Sequence, residues 1–516
     1  MQVHDLLLLS EDRNPDAPLV WEQGAWYSYG TVVAQARRVA RELVETCDVR
    51  KGQRVAVYWE NSLGAIVASF GVWLSGAVLV PLNTDLRGAD LTFQLEHSDA
   101  VAVISGKKQF RHLLPVIESV QGVHSVIADV PISPDALSAR FRSWNDAVDT
   151  GHELATPVRT IDVDLAAIVY TSGSTGRPKG VMLSHLNIVS NMVSIADYLR
   201  LGSDDRILMV LPHFYIYGLS LVLTHVLVGG GIILENRFMY PNTVLETMTT
   251  VGATGFAGVP STFSILLARS TVRETGFPSL RYVTQAGGAM PVKVQKETAD
   301  AFAPAALYIM YGATEAAPRL SYLDPADLEH KWGSIGVPIP NVDLFVADQD
   351  GSPLPPGEEG ELVARGSNIM AGYWKDPEAS GEVIRSGLYY TGDLGVRDEE
   401  GFLYVTGRAK DIIKVKGFRV SPKEIEEHII RSDAVSEAAV VGVPDDVQGE
   451  VPVAFLVPKD DDVDTQAISV ALQRELPAYK VPRHYVVVGE LPKGSAGKVL
   501  KTRLREQYEE GKRGKE

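Results

Sequence analysis

A single cysteine, Cys47, stands in a chain of 516 residues. One thiol can neither close an intramolecular disulfide nor build a thiolate metal cluster. As a small apolar residue, Cys47 reads as part of the core. Basic charge is also short: 49 lysines and arginines against 65 acids leave a formal charge of −16. Such a surface repels polyanions, so nucleic acid and anionic lipid are poor partners. Met1 to Asp12 hold no basic region followed by an apolar run and a small-residue cleavage site. No secretory signal is read there, and a cytoplasmic location is expected. Long hydrophobic runs are scarce. The stretch Leu63 to Leu82 carries no charge, but Gly64, Ser69, Gly71, Ser75, Gly76 and Pro81 interrupt it. A buried helix ending near Ser75-Gly76, then a buried strand Ala77–Val80, accounts for it without membrane insertion.

What is present is a long chain with 45% hydrophobic residues, enough for a large core and more than one domain. Short apolar runs alternate with helical patterns: Arg54–Trp59, Ala100–Ile104, Arg206–Leu211, Gly231–Leu234 and Arg281–Thr284. That alternation predicts a layered α/β architecture with much parallel sheet. After about Asp343 turn signals such as Asp348-Gln349-Asp350-Gly351 and Pro355-Pro356-Gly357 mark a smaller β section. From Asp411 the pattern changes again. Ile412–Val415 reads as a strand and a helix from about Pro422 carries Ile425, Ile429 and Ile430 on one face. Ser421 with Glu424 three residues later fits a capping box, and Pro422 suits the first helical position. The expected organisation is a large N-terminal region, 1–409, and a small α+β C-terminal domain, 410–516, with Glu509 to Glu516 as a frayed, solvated tail.

Leu165–Tyr170 reads as a strand running into Thr171-Ser172-Gly173-Ser174-Thr175-Gly176-Arg177-Pro178-Lys179-Gly180. Glycines, hydroxyls and cations gathered in ten residues can turn backbone N–H groups and hydroxyls toward one point, as a polyphosphate requires. A Walker P-loop needs Ser or Thr after the lysine. Here Gly180 and Val181 follow Lys179, so that alternative fails on its own pattern.

In this loop the sequence resembles the adenylate-forming superfamily of acyl-CoA synthetases, 4-coumarate-CoA ligase-like enzymes, luciferases and peptide-synthetase adenylation domains. Four further segments follow in the family's order along essentially the whole chain. Tyr311-Gly312-Ala313-Thr314-Glu315 looks like the second signature and Tyr390-Thr391-Gly392-Asp393 like the third. Gly407-Arg408-Ala409-Lys410-Asp411 resembles the hinge, and Pro492-Lys493-Gly494-Ser495-Ala496-Gly497-Lys498 the terminal lysine loop.

The resemblance implies an AMP-forming ligase that joins a carboxylic acid to ATP as an acyl adenylate and passes the acyl group to coenzyme A. Joining two anions demands positive charge at the meeting point, and the family pattern gives that task to Lys498. It makes Glu315 the Mg²⁺ ligand and Thr314 the α-phosphate contact. Asp393 would accept from both ribose hydroxyls, with Arg408 supporting the same sugar. Gly287, Gly288 and Ala289 would let the base approach the backbone, Tyr311 would stack on it, and Met310 and Gly312 flank that contact. With Thr171, Ser172, Gly173, Ser174, Thr175 and Lys179, these complete the expected ATP/AMP site. Lys410 falls at the hinge on which a mobile C-terminal domain would swing. Lys414, Lys416, Gly417 and, by a looser alignment, Arg237 would line the thiol channel.

By the same resemblance the acyl pocket follows the fourth core strand, at Leu211-Pro212-His213-Phe214-Tyr215-Ile216-Tyr217-Gly218-Leu219. Tyr215, Tyr217, Gly218, Val259, Pro260, Phe263, Ala313, Ala316 and Ala317 would form its wall. Tyr215 stands where many relatives have a gating His. No Asp is present to pair an α-ammonium group, which would be costly unpaired in an apolar pocket, so a fatty, aryl or other hydrophobic acid is favoured. A carrier-protein phosphopantetheine is the rival acceptor. A luciferase-type oxygenase would need a specialised pocket, and a nucleotide-binding relative without turnover would be expected to lack Lys498, Glu315 or Asp393.

Overall fold

The computed structural model describes residues 1–131, 140–149, 151–171, 177–416, 418–432, 434–445, 448–459, 463–494 and 499–513. Two large sheets share one layer of helices. The first runs, in sequence order along its spine, through parallel strands Arg206–Met209, Gly255–Gly258, Tyr282–Gln285 and Ala306–Gly312, then turns antiparallel into Arg319–Leu323. The second is built on Arg54–Tyr58, Val78–Pro81, Ala100–Ser105 and Leu165–Thr171, with Lys179–Ser184 antiparallel beside the last. Val55, Leu79 and Ala167 of one sheet and Ile207, Met209 and Ile232 of the other belong to a single apolar cluster with Val32, Ile66, Ile188 and Leu219 from the helices between. The outer faces are covered separately. Leu91, Leu95 and Leu113 close one, and Val244, Met248, Phe263 and Phe302 the other.

Helix Leu63–Leu74 shows why the uncharged run is not a membrane span. It is buried from Ala65 to Leu74 because strands Arg54–Tyr58 and Val78–Pro81 cover one side and helices Val3–Arg13 and Tyr29–Arg41 the other, which removes the need for a polar face. Ser62 starts it by accepting from the Ala65 N–H at 3.1 Å. Trp73 at its end is fully buried and donates its indole N–H to the Ala166 carbonyl at 2.9 Å. Strand Val78–Pro81 follows. Among the described residues no helix is long and apolar enough to cross a membrane.

The antiparallel section appears where turn signals begin: Val342–Ala347, Gly360–Gly366, Leu388–Arg397 and Leu403–Arg408 form the ladder. Beyond it, Ile413–Val415, Val435–Asp445, Gly449–Pro458 and His484–Val487 make a fourth sheet, packed by helices Pro422–Ile430 and Thr465–Glu475. Ile425 and Ile429 are buried in that core; Ile430 lies between its interior and the surface.

Two local expectations are corrected. The Ser421–Glu424 capping box does not form, because each side chain has a stronger partner: Ser421 donates to the Thr406 carbonyl at 2.5 Å, and Glu424 accepts from Lys480 Nζ at 2.7 Å. The chain after Glu509 is not frayed at its start either. Helix Lys501–Arg513 carries through it, anchored by the fully buried Leu504.

Replacing Trp73 with Ala removes a fully buried ring and leaves the Ala166 carbonyl without its donor. A loss of about 3–5 kcal/mol is expected, read as a lower urea midpoint for the N-terminal transition. Trp73→Phe should lose clearly less, and equal effects would refute this account of the helix layer.

Candidate active site

The end of the strand that carries the second signature meets the middle of the strand that carries the third, Leu388–Arg397. Tyr311, at the end of Ala306–Gly312, donates its hydroxyl to one Asp393 oxygen at 2.6 Å, and Arg408 Nε donates to the other at 2.7 Å. Asp393 and Arg408 are cross-strand partners, so the ladder itself sets this pair. The carboxylate is buried at 7% exposure. Burial and the adjacent carboxylate hold the Tyr311 phenol well above its ordinary pKa, and the Asp393 charge raises Arg408. Each Asp393 oxygen keeps a further lone pair, so the cluster can still accept from a ligand's hydroxyls.

Gly287, Gly288 and Ala289 follow strand Tyr282–Gln285, which runs parallel to Ala306–Gly312; the two loops therefore leave the same sheet edge. Gly287 has φ +87°, and a Cβ there would meet Val259 Cγ1 at 3.0 Å, so glycine suits both the backbone and the contact. The Gln285 amide fastens the loop by donating to the Gly288 carbonyl at 2.9 Å. Ligands of open α/β sheets bind at such carboxyl edges.

Thr314 and Glu315 lie on a single 3-10 turn, Thr314–Ala316. The Glu315 carboxylate accepts from the Tyr373 hydroxyl at 2.8 Å, and the Tyr373 ring carries Lys179 Nζ on its face, 4.9 Å from the centroid. Strand Gly372–Tyr373 pairs with Lys179–Ser184, which pairs with Leu165–Thr171. Tyr373 thus ties the base of the glycine-rich loop to the Glu315 turn. The sequence reading missed it; its signal was a tyrosine after a glycine in a two-residue strand, too short for a periodicity. One carboxylate per cation suits Mg²⁺, which keeps several waters and takes phosphate oxygens. Among the described residues no group of three or more His, Cys, Asp or Glu could hold a metal by itself.

Several expected residues sit differently. Met310 turns its side chain away from Asp393, into the core, where its sulfur accepts from the Tyr198 hydroxyl at 2.9 Å. Arg237 does not stand free for a thiol ligand, because it binds Glu235 through two N–H donors at 2.9 and 2.7 Å. Lys410, Lys414 and Lys416 are exposed. Ser172, Gly173, Ser174, Thr175, Gly417 and Lys498 lie outside the described residues.

On the acyl side, Tyr217 is buried with its hydroxyl on Thr284 Oγ1 at 2.9 Å. Gly218 is required by space: a Cβ there would come within 2.0 Å of the Pro212 carbonyl oxygen. Val259 begins helix Pro260–Arg269, Ala316 and Phe263 are fully buried, and Ala313 is half-buried. Tyr215 precedes helix Ile216–Val228 and packs on Phe214 with ring centroids 4.5 Å apart. Nearby His213 is 2% exposed, both its ring nitrogens are buried without a hydrogen-bond partner among the described residues, and burial lowers its pKa to about 4.

Comparison with known proteins gives a consistent result. The pattern described as "AMP-binding enzyme" matches residues 9–374, and "AMP-binding enzyme C-terminal domain" matches residues 424–498. The long-chain-fatty-acid–CoA ligase of Escherichia coli O6:H1 is 33% identical over 98% of this chain and 94% of its own length. Feruloyl-CoA synthase of Amycolatopsis is 32% identical over 96% of both. The ATP-bound crystal structure of MatB from Rhodopseudomonas palustris superposes with a TM-score of 0.88 at 31% identity, covering 98% of this chain and 99% of that one.

Asp393→Asn tests the cluster. An amide has one accepting oxygen and no charge for Arg408, so AMP affinity measured by calorimetry should fall about 10- to 100-fold, the worth of a charge-assisted hydrogen bond. An unchanged affinity would remove Asp393 from the nucleotide site.

Proposed function

The chain belongs to the AMP-binding enzyme family, and from that premise we propose that it is an AMP-forming acyl-CoA synthetase acting on a carboxylic acid with a hydrophobic, fatty or aryl, body. The observation that carries the reading is the Tyr311–Asp393–Arg408 cluster at the same sheet edge as the Gly287–Gly288 loop and the Thr314–Glu315 turn. That arrangement offers a carboxylate to a ribose, open backbone to a base, and a turn plus Lys179 to phosphates.

In the first step an oxygen of the substrate carboxylate attacks the α-phosphorus of ATP and pyrophosphate leaves, giving the acyl adenylate. Thr314 donates to the α-phosphate, and Glu315 would hold Mg²⁺, which when bound would offset charge on the departing pyrophosphate. Lys498 bridges the two reacting anions. In the second step a thiol attacks the acyl carbonyl and AMP leaves. Coenzyme A is the acceptor in this reading, with Lys414, Lys416 and Gly417 along its approach. Arg237 has a weaker claim there because Glu235 already holds it. The boundary between the two parts is placed at 409/410, with Lys410 as hinge. A cytoplasmic location follows from the reactants, since ATP and a reduced thiol are kept there.

Pyrophosphate release with ATP and Mg²⁺, measured over fatty, aryl and amino acids with and without coenzyme A, tests the activity. Release with a fatty or aryl acid and accumulation of its CoA thioester is the expected result. Adenylate that never acylates coenzyme A would overturn the acceptor. Lys498→Ala should lower adenylation by about a hundredfold or more while the ATP Kd stays within about threefold. Unchanged adenylation would overturn the role given to Lys498.

A further inference from the structure

We propose that Arg319 binds a second carboxylate, carried by the acid substrate at the end away from the reacting group; this rests on the ligase reading above. Among the described residues four Asp, Glu, Lys or Arg side chains are buried: Asp205, Glu235, Asp393 and Arg319. Three have an opposite charge in contact. Asp205 pairs with Arg281 at 2.7 Å, Glu235 with Arg237 at 2.7 Å, and Asp393 with Arg408 at 2.7 Å. Arg319, 2% exposed, pairs with no carboxylate among the described residues, and its Nε is buried without a hydrogen-bond partner.

Its backbone is fixed. The Arg319 N–H donates to Asn191 Oδ1 at 3.0 Å, and its carbonyl accepts from the Asn191 and Asn368 amides, each at 2.9 Å. The guanidinium lies over the Tyr217 ring, 4.8 Å from its centroid, and near the Tyr198 hydroxyl. A ring face and a hydroxyl offset part of a cation's lost hydration; neither cancels its charge.

The position assigns this cation to the acyl side. Successive residues of a strand face opposite ways. Met310 points to Tyr198 and Tyr311 to Asp393. On the antiparallel neighbour, Arg319 points to Tyr217 and Tyr198, and Leu320 packs in the cluster that Tyr311 and Ala313 adjoin. The sheet therefore separates the guanidinium from the Asp393 cluster, and places it against Tyr217 of the expected acyl wall.

A guanidinium only donates, so its missing partner must accept, and a buried cation is neutralised only by an anion. A carboxylate does both and matches the planar fork. The carboxylate that reacts is engaged at Thr314 and the α-phosphate, so the anion at Arg319 is a different one. The substrate class is a dicarboxylic acid, aliphatic or aryl, with an apolar body between its two acidic ends.

The test is kcat/KM for pyrophosphate release across matched pairs on the full chain: octanoate against suberate, decanoate against sebacate, 4-ethylbenzoate against 4-(2-carboxyethyl)benzoate. The wild-type enzyme should favour the dicarboxylate in at least one pair by about 30-fold or more, since a buried hydrogen-bonding group rejects a ligand that leaves it unpaired. Arg319→Met should collapse that ratio, and Arg319→Lys should retain part of it. The favoured diacid should also raise the thermal midpoint of the wild type in the presence of ATP, and fail to raise that of Arg319→Met. Monocarboxylates preferred in every wild-type pair, or a ratio unmoved by Arg319→Met, would overturn the proposal and leave the ligase reading intact. No release with any acid would overturn both.

Discussion

Helices Leu63–Leu74 and Ile216–Val228 are apolar on nearly every side because each lies in the layer that both large sheets share. Leu63–Leu74 packs on Arg54–Tyr58 and Val78–Pro81 of one sheet, Ile216–Val228 on Arg206–Met209 and Gly231–Leu234 of the other, and both pack on helix Val3–Arg13, so helix-on-helix contact joins the two sheets into a single core whose edges cannot shift independently. The placement of chemistry depends on this. The glycine-rich segment leaves one sheet after Thr171, whereas the Gly287–Gly288 loop and the Thr314–Glu315 turn leave the other. Only a rigid layer between them holds Thr171 and Lys179 of one sheet and the Glu315 carboxylate of the other in fixed register, and the positioning that the proposed reaction calls for is sensitive to displacements of an ångström.

At the rim the packing hands over to polar contacts. Tyr373 holds the Glu315 carboxylate with its hydroxyl and Lys179 with its ring, so an acid and a cation, the pair proposed above to serve a polyphosphate, share one brace. A direct Lys179–Glu315 ion pair would satisfy the same charges and close the site to ligand. A tyrosine between them keeps both oriented at a cost that its own burial offsets. The Asp393 cluster follows similar logic: an anion and a cation on neighbouring strands and a neutral donor, Tyr311, from another sheet, with lone pairs left over.

Much of this was legible in the sequence for physical reasons. Buried parallel strands announce themselves as apolar runs, and Arg54–Tyr58, Arg206–Met209 and Gly231–Leu234 form sheet where such runs stand, with ends shifted by a residue or two. Signature loops were readable because glycine beside hydroxyls and charges has few structural reasons to recur. Side-chain partners across the fold were not. Ser421 and Glu424 have the local spacing of a cap, yet Thr406 and Lys480, 15 and 56 residues away, take their hydrogen bonds. Met310 and Tyr311 are adjacent in sequence and face opposite sides of a strand. Arg319 was hidden for a further reason: one arginine after Ala316-Ala317-Pro318 looks like a surface charge until the burial is known.

The contact between the antiparallel section and the fourth sheet is of a different kind from the helix layer. Helix Pro422–Ile430 meets strand Leu403–Arg408 through side chains that reach backbone: Ser421 to the Thr406 carbonyl and Lys423 Nζ to the Val405 carbonyl, both at 2.5 Å. Neither carbonyl lies in the apolar core, since Val405 and Thr406 are only half-buried. Hydrogen bonds at such a depth exchange for water at a net cost of about 1 kcal/mol each, against several for prising apart an apolar interface of the same extent. The reaction proposed above, with a lysine at the phosphate in one step and a thiol path in the next, would call for two orientations of comparable free energy. An interface held by a few water-exchangeable bonds meets that requirement, and one built like the helix layer would not.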